Sequence, residues 1–143
     1  PYEIVLDKPF EVVWTNIIDF FAQKGVSIKL LDKSSGLIGT DPYNLKSAYS
    51  MENENGLIQN KNAWVALANR RVMGAEVKPD ALTGVWNVRL KPVSDNKTSI
   101  NINLVGIVGT TVYDQTEYSR RFVIDHEGRS TGVFEREIAE QMK

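Results

Sequence analysis

Residues 9–25 read PFEVVWTNIIDFFAQKG, and this stretch decides the fold. Phe10, Val13, Trp14, Ile17, Ile18 and Phe21 fall at offsets of 0, 3, 4, 7, 8 and 11. That spacing gathers large apolar side chains on one helix face. Glu11, Thr15, Asn16, Asp19, Gln23 and Lys24 take the other positions. Pro9 suits a first turn, where the missing N–H costs nothing. Gly25 suits the left-handed residue that ends a helix. The reading is a long N-terminal helix over 9–24.

Outward from this helix the chain reads as strand, turn and loop until a second helix. Residues 2–6 form a strand leading into the helix. Val26 to Leu31 form the next, with Val26, Ile28 and Leu30 on one side. Asp32 to Gly36 turn the chain, and Leu37 to Thr40 return as a hairpin partner before Asp41-Pro42. Ala63 to Asn69 is another strand. Leu82 to Val93 places Trp86, Val88 and Leu90 on one face and Asn87, Arg89 and Lys91 on the other. Thr98 to Val108 alternates likewise, with Ile100, Ile102 and Leu104 opposed to Ser99, Asn101 and Asn103. Such alternation belongs to an antiparallel sheet with one wet face. A further strand is read around Arg120 to Ile124. The last helix runs over about 132–142, with Phe134, Ile138 and Met142 as its stripe and Thr131, Ser130 or Gly132 as its cap. The expected core is Phe10, Trp14, Ile17, Phe21, Trp86, Ile100, Ile102 and Phe134.

This order predicts one α+β domain over 1–143. It is a two-layer, helix-grip-like arrangement: an antiparallel sheet packed on a long N-terminal helix and a short C-terminal one. Its 143 residues suffice to bury roughly 68–70% of the unfolded surface without staples.

Composition narrows the function classes. Seventeen Lys and Arg against 18 Asp and Glu give a net charge of −1. That argues against nucleic acid as a partner, which calls for a basic face. The dibasic pairs Arg70-Arg71 and Arg120-Arg121 read as solvated surface. With no cysteine, disulfides, thiolate zinc sites and a Cys nucleophile are excluded. No run of ~18 apolar residues exists to span a membrane. The chain starts with Pro1, which reads as a processed or trimmed product from which any export signal could have been removed upstream.

The segment PFEVVWTNIIDFFAQKGVSIKLLDKSSGLIGTD (9–41) resembles the opening of BamC-like domains of cell-envelope lipoproteins. The matching positions are Val13-Trp14, Gly25, Ile28 to Leu30 and Gly36 to Thr40. STGVFEREI (130–138) resembles the end of a group of envelope lipoproteins with this fold. The resemblance covers a quarter to a third of the chain, and its motifs are structural. It implies a BamC-like helix-grip domain located in the cell envelope. Membrane association would then run only through a lipid anchor outside this chain. This chain departs from BamC itself, which has two such domains and a long unstructured N-terminal part.

No residue cluster demands a particular chemistry. His126, in Asp125-His126-Glu127, would be a general base or metal ligand in a functional reading. No second histidine accompanies it, so it reads as a surface residue. Glu52, Glu54, Asp80, Asp95, Asp114 and Glu117 lie mostly in loops without a metal-binding or glycosidase spacing. No catalytic residue, metal site or cofactor is assigned.

The expectation is a non-enzymatic module binding a protein or envelope component. A carrier of a small apolar ligand in a helix-grip cavity is the alternative, and a hydrolase comes third. Loops 43–62 and 110–119 are polar, aperiodic and carry tyrosines, so they are the expected contact surface. Tyr43, Tyr49, Tyr113 and Tyr118 are its candidate anchors. Trp64 joins them if Val65 and Leu67 face the core, which would put Trp64 on the outer face.

Overall fold

A computed structural model describes residues 2–115 and 120–143. The elements in order are β1 (Tyr2–Leu6), α1 (Phe10–Gln23), β2 (Ile28–Asp32), β3 (Leu37–Thr40), β4 (Tyr43–Asn44), β5 (Tyr49–Met51) and β6 (Val65–Leu67). They continue with β7 (Arg71–Val72), β8 (Ala75–Glu76), β9 (Ala81–Ser94), β10 (Lys97–Gln115), β11 (Arg120–His126), β12 (Gly128–Ser130) and α2 (Val133–Met142). The protein is α+β with a mainly antiparallel sheet. The residues fall into two compact units. One comprises Pro1–Tyr43, Val85–Val105 and Gly132–Lys143; the other comprises Asn44–Gly84 and Gly106–Thr131. No helix among the described residues is long and apolar enough to cross a membrane.

The first unit carries both helices and the sheet order β1-β10-β9-β3-β2. The N-terminal helix is not the long one expected: α1 has 14 residues and stops at Lys24, with Gly25 following at φ 73°. Val13, Trp14, Ile17, Phe20 and Phe21 are buried. Phe10, expected in the core, and Ile18 are only half-buried, while Phe20 joins the stripe. The cause is α2, whose Phe134 ring meets Phe20 at 5.7 Å. Phe134 also lies 4.5 Å from Trp86 on the sheet, so the aromatic rings fill the space between α2 and β9. Lys24 and Glu137 form an ion pair between the two helices.

The long strands follow the alternation of the sequence. Trp86, Val88, Leu90, Ile100 and Ile102 are all 0–1% exposed. Their neighbours Asn87, Arg89 and Lys91 are exposed. In β2 the alternation breaks. Leu30 was expected beside Val26 and Ile28 but is 52% exposed. The register with β3 shifts between Ile28 and Leu30. An extra residue there reverses which face the following side chains take. The 32–36 turn is held by Asp32, whose carboxylate accepts from the Ser34 amide (3.1 Å) and hydroxyl (2.7 Å). The Ser34 hydroxyl, then that of Ser35, hold this carboxyl below its usual pKa.

The second unit is built from short strands. β12, β6 and β5 form one sheet, in which β5 and β6 run parallel. β7 and β8 form a two-stranded ribbon. β11 pairs with Gly109–Gln115 of β10. The strand expected over Ala63 to Asn69 contracts to three residues, all buried. Residues 110–115, expected as loop, belong to β10. Gly128 to Ser130 pair with β6; Ser130, one of the candidate caps of the last helix, lies in this strand. The cap of α2 is Gly132, because the Thr131 hydroxyl instead donates to the Ala63 carbonyl.

Candidate functional site

The polar connection after β4 is ordered by asparagine. Asn44 Oδ1 accepts from Lys46 N (2.9 Å), Asn53 Oδ1 from Asn55 N (2.8 Å) and Leu57 N (3.0 Å), and Asn60 Oδ1 from Asn62 N (3.0 Å). These side chains supply turns that need no hydrophobic period. Leu45, 0% exposed, pins the start of the segment, and its N–H donates to the Leu82 carbonyl (2.8 Å). This connection, polar and aperiodic in sequence, therefore still contributes burial through Leu45.

That ordering shapes an open groove of about 520 Å³ in the second unit. Lys46, Tyr49, Met51, Glu52 and Gln59 line one part, and Glu76 and Lys78 another. The Glu52 carboxylate accepts from Arg129 Nε at 3.0 Å, and its carbonyl accepts from Asn69 Nδ2 at 3.0 Å. Glu52 is thereby tied to β12. The groove is lined by two ammonium groups, two carboxylates, two amides and a phenol, a set suited to recognising a polar, charge-bearing ligand.

The candidate anchors do not share one setting. Tyr49 is half-buried and lines the groove. Tyr43 belongs to the first unit, where its half-buried ring lies 5.7 Å from Trp86. Trp64 is half-buried, and the condition set for it holds: Val65 and Leu67 beyond it are both 0% exposed. Its N–H donates to the Ala48 carbonyl and its carbonyl accepts from Thr131 N. Tyr113 is half-buried, and its hydroxyl reaches the Met73 sulfur at 3.7 Å. Tyr118 lies outside the described residues.

Residues 78–80 are stitched to β10. The Thr111 hydroxyl donates to the Lys78 carbonyl (2.7 Å), Asp80 N–H to the Thr110 carbonyl (2.8 Å), and Val112 N–H to Asp80 Oδ2 (2.8 Å). His126 stands behind this stitch. It was expected at the surface, yet it is 6% exposed. It lies opposite Gly109, where a Cβ would sit 3.1 Å from that of His126; the glycine makes room for the imidazole. Burial first, then the charge of Arg70, lowers the His126 pKa, while Asp80 and Asp125 oppose the shift. The signal that would have found it is the alternation Phe122, Ile124, His126 along β11, which puts His126 on the face of buried Ile124.

The first unit has a second concave surface, an open hollow of about 380 Å³ on the polar face of its sheet. Here Asn103 Nδ2 donates to Asn101 Oδ1 (2.9 Å) and the Ser99 hydroxyl to Glu3 Oε1 (3.1 Å). Among the described residues no group of three His, Asp or Glu is placed to hold a metal ion. Comparison with protein-family models and with curated proteins returned no match.

Proposed function

We propose that the chain is a binding module of the cell envelope, with a BamC-like helix-grip architecture, acting through the groove of its second unit. The observation that carries the reading is the groove itself. Tyr49, Gln59, Glu76 and Lys78 meet there on a framework of asparagine turns and the 78–80 stitch. The envelope location and the BamC-like class rest on the resemblance of residues 9–41 and 130–138. The ligand would be a protein segment or another polar envelope component carrying charge. A carrier of apolar ligands is less well supported, because Trp86 and Phe134 occupy the space between α2 and the sheet.

Envelope extract separated into protein, polysaccharide and lipid fractions tests this. Tyr49→Ala combined with Lys78→Ala should lose binding of one fraction and leave the thermal midpoint nearly intact. Undiminished binding by the double variant contradicts the proposal.

A further inference from the structure

The contacts of His126 fix its tautomer. Its Nε2 lies 2.7 Å from the Thr111 hydroxyl oxygen, which lies 2.7 Å from the Lys78 carbonyl. A threonine hydroxyl has one proton, and a carbonyl only accepts. That proton therefore goes to Lys78, and Nε2–H donates to Thr111. Nδ1 is left with a bare lone pair. It is buried, with no hydrogen-bond partner among the described residues. The opposite tautomer would bury an N–H at Nδ1 with nothing to accept it, and the imidazolium would add a charge to that cost.

We propose that His126 and Thr111 form an acid-released latch on residues 78–80. The neutral ring braces the Thr111 hydroxyl against the Lys78 carbonyl. Protonation at Nδ1 drives the ring from its site and frees the stitch. Because Lys78 lines the groove, release would also deform that wall; this last step rests on the groove being the binding site.

The charged groups around the ring are Arg70 from the segment before β7, Asp80 from the stitch and Asp125 on β11 itself. Thr111 and Gly109 of β10 bring no charge, and Lys78 and Glu127 are exposed. Burial and Arg70 hold the folded pKa below the ordinary 6.5. The unfolded chain therefore binds the proton first. The latch is at full strength above about 6.5 and is lost as pH falls from there through the folded value.

NMR of the intact, nitrogen-15-labelled chain between pH 7.5 and 5 tests the latch without any ligand. The ring should show the Nε2–H tautomer and titrate below 6.5. Exchange of the Asp80 and Val112 amides, corrected for its intrinsic pH dependence, should rise in acid. The rise should be about tenfold for each unit by which the ring pKa is depressed. His126→Gln still places an amide N–H towards Thr111 but does not titrate, so its profile should be flat. Asp80→Asn should retain the acid response. An Nδ1–H tautomer, a ring pKa at or above 6.5, or an acid response that persists in H126Q or vanishes in D80N would overturn the proposal. Should H126Q not fold, the tautomer, the ring pKa and the D80N profile decide. Groove binding that ignores pH while the amides respond would keep the latch and remove only its link to binding.

Discussion

The two units of this protein hold their residues in place by different means. The first relies on size and periodicity: Trp86, Phe21, Phe134, Ile100 and Ile102 are each 0% exposed, and they come from helices and long strands with regular apolar spacing. The second joins the antiparallel β10–β11 pair to two- and three-residue strands, asparagine turns, and a histidine and threonine that brace a segment through side chains. Apolar burial is non-directional and tolerates a wet outer face. Hydrogen bonds from single side chains are directional and fix loops where no stripe exists. The second unit therefore shapes a groove from polar residues, while the first spends its large side chains on its core.

Substitution should separate the two modes, and the largest effect belongs to the first unit. Trp86→Ala should destabilise by roughly 3–5 kcal/mol, read by denaturant unfolding. Half-buried Trp64 in the second unit should cost nearer about 1 kcal/mol as alanine. Equal costs would erase the distinction between a core tryptophan and a framework one.

The tyrosines come next. Tyr43→Ala should lower the thermal midpoint, because its ring packs at 5.7 Å from Trp86. Tyr49→Ala should leave the midpoint nearly unchanged and act on binding. An unchanged midpoint for Tyr43→Ala would place Tyr43 with the binding residues instead. Removing all four candidate tyrosines at once would confuse these roles.

The smallest effect sharpens the second unit's mode. Asn53→Ala removes an acceptor shared by Asn55 and Leu57. It should cost about 1 kcal/mol. Hydrogen exchange should show the loss confined to residues near 53–57. A loss spread evenly over both units would mean that the turn is not an independent device.

The same contrast explains what the sequence made legible. Phe10 to Phe21, the Trp86–Leu90 alternation and Ile100–Leu104 carry a period, and each element appears where the period places it. Phe20 escaped because its burial depends on Phe134, far along the chain. Leu30 escaped because one bulge reverses the alternation. Of the groove, the 43–62 segment reads as a contact surface with Tyr49 as an anchor, while Glu76 and Lys78 give no such reading. Lys46, Gln59, Glu76 and Lys78 are ordinary surface residues until Asn44, Asn53 and Asn60 fold the connection and Thr111 fastens residue 78. His126 escaped because the strand read around Arg120 to Ile124 stops two residues short of it; carried on through His126, the same alternation places it on the face of Ile124.

The central claim, that recognition belongs to the groove of the second unit, is tested most directly by site-specific photocrosslinking in cell-envelope fractions. A photoreactive residue replaces Gln59 in the groove or, separately, Asn101 on the polar sheet face of the first unit. The account predicts a discrete adduct from position 59, lost when Tyr49→Ala and Lys78→Ala are added, and none from position 101. An adduct from position 101 with none from position 59, or a position-59 adduct indifferent to those substitutions, would contradict it.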